Sequence, residues 1–185
     1  MTNTRKMAYI AILSALSFLL MYIQFPLIPA ASFLQVDFSI LPILVGLLML
    51  DLSSAFIILI IRTLLKLLLN NGGVGTLIGL PMNVVALAVF IWAMAALWNQ
   101  KRSDKAYIVA SAVGTLGLTV TMFVLNYIYA VPLYAKFANF DIKTILGLGN
   151  YLFAMVVPFN LIEGIIFSVT FFVLYNCLKS VLKKV

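Results

Sequence analysis

The side chains that could do chemistry in this sequence are few, and most are amides. Asn83, Asn126 and Asn160 sit in or at the start of long apolar runs, and Arg62 and Glu163 lie within them too. A polar group in such a run is costly to bury and marks a functional position by default. Each asparagine amide offers two donors and an acceptor oxygen with two lone pairs. Such groups suit a neutral ligand with a planar edge of alternating donors and acceptors. The other reading is that the amides cross-link helices. Asn160 and Glu163 are three residues apart and share a helix face, as do Arg62 and Lys66, four apart. Lys66 lies near the end of its run, where a long side chain can snorkel to the interface. An internal ion pair between Arg62 and Glu163 would neutralise both charges, and it is an expectation of the sequence.

The missing residue types exclude as much. There is no histidine and one cysteine, Cys177. That rules out a disulfide within the chain, a Cys/His zinc site and any triad that needs an imidazole. No nucleotide-binding P-loop is present. Asp37, Asp51, Asp104, Asp141 and Glu163 are scattered over separate segments. They form neither an acidic cluster for a metal nor a general acid–base pair. No enzyme is expected and no cofactor; if ATP drives this protein, another subunit hydrolyses it.

These side chains need elements to carry them, and composition says which. Of 185 residues, 65% are hydrophobic and 9% are charged. Soluble domains run at about 45–50% apolar and roughly 25% charged. The chain therefore reads as an integral membrane protein, in contact with the lipid bilayer. In a bilayer every backbone polar group needs an internal partner, so a spanning chain is helical or a closed barrel. The runs are apolar all round and long, hence helical.

Apolar runs stand out at 7–25, 39–50, 53–69, 80–98, 106–130 and 151–178. A span takes about 20 residues. The second is short, but fusing it with the third would give a helix of about 46 Å, too long without severe tilt. With six spans and a cytoplasmic N-terminus, Arg5, Lys6, Lys101, Arg102, Lys105, Lys179, Lys183 and Lys184 lie inside, and Lys136 and Lys143 outside. Basic residues favour the cytoplasmic side. Five spans would erase the asymmetry, so the expectation is a single membrane domain, 1–185, with six transmembrane helices and both termini cytoplasmic. The net charge of +7 is thereby explained by topology and does not point to nucleic acid. The first run is too long for a signal peptide's apolar region and lacks a clean cleavage site, so it reads as a mature helix.

Two outer segments are more than connectors. Residues 26–38 carry Pro26, Pro29 and a mostly apolar body, which predicts a capping loop between helices 1 and 2. Residues 131–150 carry Tyr134, Phe137 and Phe140, which serve equally as interfacial anchors or as a lid. On this topology the asparagines, Glu163 and Arg62 gather in the outer half, under the first loop. On the first span Ala8, Ala11, Ser14 and Ala15 form a small-residue face, which suits close helix packing, internal or with a partner.

The chain resembles the S components of energy-coupling factor (ECF) vitamin transporters, most closely the riboflavin-specific ones. The resemblance rests on Ala11-x-x-x-Ala15, on Val36-Asp37-Phe38-Ser39 followed by Pro42, and on the Gly75/Gly79/Asn83 segment. It rests further on Leu125-Asn126-Tyr127 followed by Pro132 and Tyr134, and on Pro158-Phe159-Asn160-x-x-Glu163-Gly164. It implies a six-helix bundle whose first loop caps the substrate. It also implies docking of Ala11 and Ala15 on a transmembrane coupling subunit, and two cytoplasmic ATPase subunits that drive uptake. Family members are thought to topple in the membrane to deliver their vitamin. The resemblance makes Leu34, Gln35, Val36, Asp37, Asn83, Asn126, Tyr129 and Asn160 candidates for riboflavin contact, with Glu163 beside them. Two departures stand out: similar proteins often have a basic residue where Glu163 stands and an acid where Ile40 stands. A carboxylate there would repel a phosphate, so flavin mononucleotide is expected to bind more weakly than riboflavin. The alternatives are an S component for another vitamin, of thiamin or pterin type, a small secondary carrier working alone, and a purely structural subunit.

Overall fold

The computed structural model describes residues 2–182. The basic residues Lys183 and Lys184, counted above on the cytoplasmic side, lie outside the described residues. The elements in chain order are α1 (Asn3–Leu20), β1 (Gln24–Pro26), β2 (Gln35–Asp37), α2 (Ile40–Met49) and α3 (Leu52–Leu69). Then follow α4 (Val74–Met94), α5 (Asp104–Leu125), α6 (Val131–Phe137), α7 (Ile142–Ile145) and α8 (Val157–Leu182). Wide π turns at Ala95–Asn99, Asn126–Ala130 and Asn150–Val156 extend or join the long helices.

Among the described residues, four stretches are long and apolar enough to cross a membrane: Leu52–Leu69, Val74–Asn99, Asp104–Phe137 and Asn150–Lys179. α2 is shorter, and α1 opens with Asn3, Thr4, Arg5 and Lys6, which lower its apolar average. Apolar side chains face outward as well as inward. Met7, Ile12 and Leu19 on α1, Ile108 and Val120 on α5, and Ile165 and Val173 on α8 are exposed. A helix apolar all round needs either a large core or lipid around it.

The short α2 is the most enclosed element. Ile40, Ile43, Leu44 and Leu47 are essentially sealed, and the helix packs against α1, α3, α4 and α8. α5 and α8 meet closely because Gly164 has no side chain. A Cβ there would stand 2.6 Å from the Thr115 side chain, inside van der Waals contact.

Several boundaries depart from the apolar runs, each for a local reason. The run at 7–25 is helical only to Leu20. Its last residues enter β1, whose Phe25 pairs with Val36 of β2 in an antiparallel ribbon. Hydropathy cannot separate an apolar helix end from an apolar strand. The fourth helix starts at Val74, six residues before its run, so Gly75 and Gly79 lie within helix. The turn falls on Gly72 and Gly73, where Gly73 takes φ +84°. The segment 131–150 is largely helical, in α6, α7 and the start of the last π turn.

One end of the bundle is basic. The Lys6 ammonium donates to Asp51 Oδ2 at 2.5 Å, and Arg102 donates to the Leu48 carbonyl at 3.4 Å. Those bonds gather the start of α1, the α2–α3 turn and the α4–α5 connection. Asp51 also caps α3, accepting from the Ser54 amide at 2.7 Å. The α1–α2 loop, Asn70–Gly73 and the 138–149 segment lie at the opposite end.

Candidate functional site

At that opposite end is a cavity of about 170 Å³. α4 lines one wall with Gly79, Asn83 and Ala86, which recur at helical spacing on one face. α5 supplies Leu118 and Met122, and the π turn after it adds Asn126 and Ala130. α8 supplies Phe159 and Glu163, and the α1–α2 loop closes over them with Phe33, Leu34 and Gln35. Tyr134 and Tyr151 line it too, as do Met82 and Leu87 of α4. A second cavity of about 280 Å³ adjoins it, with Phe33 and Tyr134 common to both and Phe140 on its far side.

Both π turns at this end carry lining residues. The wide turn interrupts the regular helical sequence of faces, and such turns recur at functional sites. Here it brings Asn126 opposite Tyr151. The Tyr151 hydroxyl donates to Asn126 Oδ1 at 2.5 Å, and Asn126 Nδ2 donates to the Met122 carbonyl at 2.7 Å. This pair fixes both side chains and leaves the amide one further proton. Phe33 stacks loosely beside Tyr151, with ring centres 6.2 Å apart.

Asn83 is held differently. Its Oδ1 accepts from an Arg62 guanidinium nitrogen at 2.6 Å. A guanidinium has only donors, so the asparagine must turn its oxygen toward Arg62 and its NH2 elsewhere. The other terminal nitrogen of Arg62 donates to Ser39 Oγ at 2.9 Å. The expected Arg62–Glu163 ion pair is therefore corrected. The terminal nitrogens of Arg62 donate to Ser39 and Asn83, and the salt bridge among the described residues is Lys6–Asp51. Spacing put both charges in one half of the bundle but could not tell which neighbours each would meet.

The sequence-predicted residues divide. Leu34, Gln35, Asn83, Asn126 and Glu163 line the cavity. Val36 is sealed in the core beneath the loop. Asp37 turns back on its own chain, accepting from the Ser39 amide at 2.7 Å. Tyr129 packs near Ile78, Met82 and Ala130. Asn160 is fully buried; its Nδ2 donates to the Val156 carbonyl at 2.7 Å, while its Oδ1 has no partner. It sits beside Phe159 and one turn before Glu163, both lining residues. Phe33, Met82, Met122, Tyr151 and Phe159 were not singled out as site residues. Aromatic and methionine side chains in a chain this apolar carry no signal until the fold shows which ones meet.

The small-residue face of α1 splits as well. Ser14 is buried and donates to the Ile10 carbonyl at 2.7 Å, whereas Ala8, Ala11 and Ala15 are exposed on the outer side. No group of three or more Cys, Asp or Glu side chains able to hold a metal occurs among the described residues.

A family profile described as "ECF transporter, substrate-specific component" matches residues 5–175. The "Riboflavin transporter RibU" of Streptococcus thermophilus is 66% identical over 100% of this chain and 87% of its own length. That of Lactococcus lactis subsp. cremoris is 40% identical over 97% of this chain and 96% of its own length. A solved structure of the S component of a bacterial ECF transporter superposes with TM-score 0.80 at 28% identity, covering 98% of this chain and 99% of that one.

Proposed function

The chain belongs to the substrate-specific components of ECF transporters, and from that premise we propose that it is the membrane subunit that binds riboflavin for uptake. It is a transport component rather than an enzyme. The observation that carries the substrate is the cavity under the α1–α2 loop, with flat aromatic and methionine walls and amide groups set among them. Riboflavin has a flat tricyclic ring with a donor/acceptor edge and a hydroxylated chain. Ligand sites of this kind are mostly apolar, with a few placed polar groups that fix orientation. In our reading Asn83 presents its NH2, Asn126 its remaining amide proton, and Asn160 its unpaired oxygen to donors and acceptors of the ligand. Leu34 and Gln35 cover the ring, and Val36 and Asp37 hold the loop in shape. Tyr129 supports the wall from behind.

The cavity is small beside the roughly 300–1,000 Å³ of typical small-molecule sites. The adjoining cavity across Phe33 and Tyr134 supplies further room once Phe33 swings aside, and entry of the ring requires that swing. Six spans in one membrane domain, both termini cytoplasmic, is the topology we favour. The basic end at Lys6, Lys101 and Arg102 then faces the cytoplasm, and the cavity faces outward. Exposed Ala8, Ala11 and Ala15 suit close contact with a transmembrane coupling subunit, while two ATPase subunits of the ECF module supply the energy.

Absorbance and mass analysis of the protein purified in detergent, followed by flavin fluorescence titration, tests the proposal. The expected result is a yellow protein with stoichiometric quenching. A colourless protein that binds thiamin or a pterin, or no vitamin at all, would replace it. Uptake that persists without the ATPase subunits and collapses with the proton gradient would instead support a carrier working alone.

A further inference from the structure

Arg62 lies outside the cavity lining, yet it bonds to both ends of the loop that covers the cavity and to one lining amide. It is fully buried, at 0% exposure, in the middle of α3. One terminal nitrogen reaches Met21 Sδ at 3.3 Å and Ser39 Oγ at 2.9 Å. Met21 is the residue that ends α1, and Ser39 is the residue that begins α2. Those two positions are the two ends of the α1–α2 loop. The other terminal nitrogen holds Asn83 Oδ1 at 2.6 Å, and Asn83 lines the cavity. Ser39 is itself tied down: its carbonyl accepts from Ser17 Oγ at 2.6 Å, and its amide donates to Asp37 Oδ1 at 2.7 Å.

We propose that Arg62 is a positioning residue that couples closure of the α1–α2 loop to presentation of the Asn83 amide. The inference rests on the ligand-binding reading of the cavity. A guanidinium is a rigid planar fork, so its two terminal nitrogens move together. While both ends of the loop sit on one nitrogen, the other is aimed at Asn83 and fixes that amide with its NH2 available to the cavity. When the loop base separates, the fork loses its anchor. Asn83 is then free to turn its oxygen toward the ligand and lose the match. The loop carries Phe33, Leu34 and Gln35 over the cavity, so covering the ligand and reading its edge become one event.

The remaining chemistry of Arg62 favours this role over a stabilising one. Its Nε is buried without a partner, and the salt bridge among the described residues lies elsewhere. A buried donor left unmade costs stability, and the Asp37 carboxylate nearby forms no ion pair with the guanidinium to offset its burial. A lysine in its place would keep the charge but present one freely rotating ammonium, without the rigid fork that fixes the two sites relative to each other.

The test is stopped-flow riboflavin binding, read by flavin fluorescence, with hydrogen exchange of residues 22–39 with and without ligand. The proteins are wild type, Arg62→Met, Arg62→Lys, Ser39→Ala, Asn83→Ala and the Arg62→Met/Asn83→Ala double variant. Arg62→Met is expected to release riboflavin ten- to hundredfold faster and to lose most ligand-dependent protection of 22–39. Arg62→Lys should not restore either readout. The double variant should release ligand no more than about threefold faster than the stronger single variant, since both act on one device. Unchanged release from Arg62→Met, rescue by Arg62→Lys, or full additivity would overturn the proposal. If Arg62→Met fails to fold, Ser39→Ala decides: it is expected to speed release and loosen the loop although Ser39 lies outside the cavity lining, and an unchanged rate would overturn the coupling. Failure of the wild type to bind riboflavin at all would sink the underlying binding reading, a separate outcome.

Discussion

The two ends of the bundle use the same irregular device for opposite purposes. At the basic end the wide turn at Ala95–Asn99 carries Trp98, which is 2% exposed and meets Tyr107, Phe171 and Tyr175 edge-on at 5.0–5.9 Å. Most polar groups there are paired, with the buried Ser111 hydroxyl the exception: Tyr107 donates to the Ser168 carbonyl at 2.6 Å, and Lys6 to Asp51. At the cavity end the wide turns carry Asn126 and Tyr151 beside an unfilled hollow, and Asn160 Oδ1 and Arg62 Nε go unpaired. A π turn by itself therefore does not mark a site. What marks it is hydrogen-bonding capacity left over beside a cavity lined by amides and aromatic rings. One end spends nearly all its polar side chains on packing, and the other holds several in reserve around a cavity.

The comparison breaks most visibly at Trp98. Replacing it by alanine removes the ring on which three aromatic neighbours pack, and a loss of about 3–5 kcal/mol is expected. Thermal unfolding in detergent should show a large drop, while the riboflavin affinity of the folded fraction stays within about twofold. A large change in affinity would mean that the two ends are not separate.

Asn126→Ala and Asn160→Ala should do the reverse. Removing one partner of a buried hydrogen bond costs about 1–3 kcal/mol, which is roughly ten- to hundredfold in affinity. Fluorescence titration checks it, and effects under twofold for both would remove the amides from the site.

Glu163 sharpens the chemistry of the reserve. It lines the cavity at 7% exposure, and no Lys or Arg is among the lining residues. Glu163→Lys, which sets a cation in the lining, is expected to improve binding of flavin mononucleotide by about tenfold, or ~1.4 kcal/mol, and to change riboflavin affinity less. Competition titration decides it; an unchanged preference between the two ligands would mean that this part of the lining does not meet the phosphate.

The smallest effect belongs to the exposed pair at the basic end. The hydrogen bond from Lys6 holds the Asp51 carboxyl below its usual range. Its folded pKa is therefore depressed, so its contribution is present above the unfolded value of about 3.9 and is lost as pH falls through the folded value. Exposed pairs contribute about 0.2–1 kcal/mol. Lys6→Ala should lower the unfolding temperature slightly at pH 7, and the difference should close below about pH 4. Asp51→Ala should cost about 1 kcal/mol more, because it also removes the α3 cap.

Much of the fold was legible because membranes reward coarse properties. Apolar runs located α1, the four candidate spans and the short α2, since burial in lipid depends on composition rather than on partners. The ends of the runs were less legible: Tyr22 and Ile23 are apolar yet leave α1 for the ribbon, and Gly75 and Gly79 lie within α4. Half of the candidate site was legible for a similar reason. Asn83, Asn126 and Glu163 are conspicuous because polar side chains are rare in these runs, and all three line the cavity. Tyr151 and Phe33 were not conspicuous, because an aromatic ring looks the same in a core, at an interface and over a ligand.

What the sequence alone determined is class and polarity: a helical membrane protein, basic at one end, with a few amides and charges placed where they are costly. Those properties sum over residues one at a time. What the tertiary structure decided is pairing. Arg62 meets Ser39 and Asn83 rather than Glu163, and Asn126 meets Tyr151, because hydrogen bonds act over about 3 Å. At that range the rotation of a helix, shifted by one wide turn, chooses the partner.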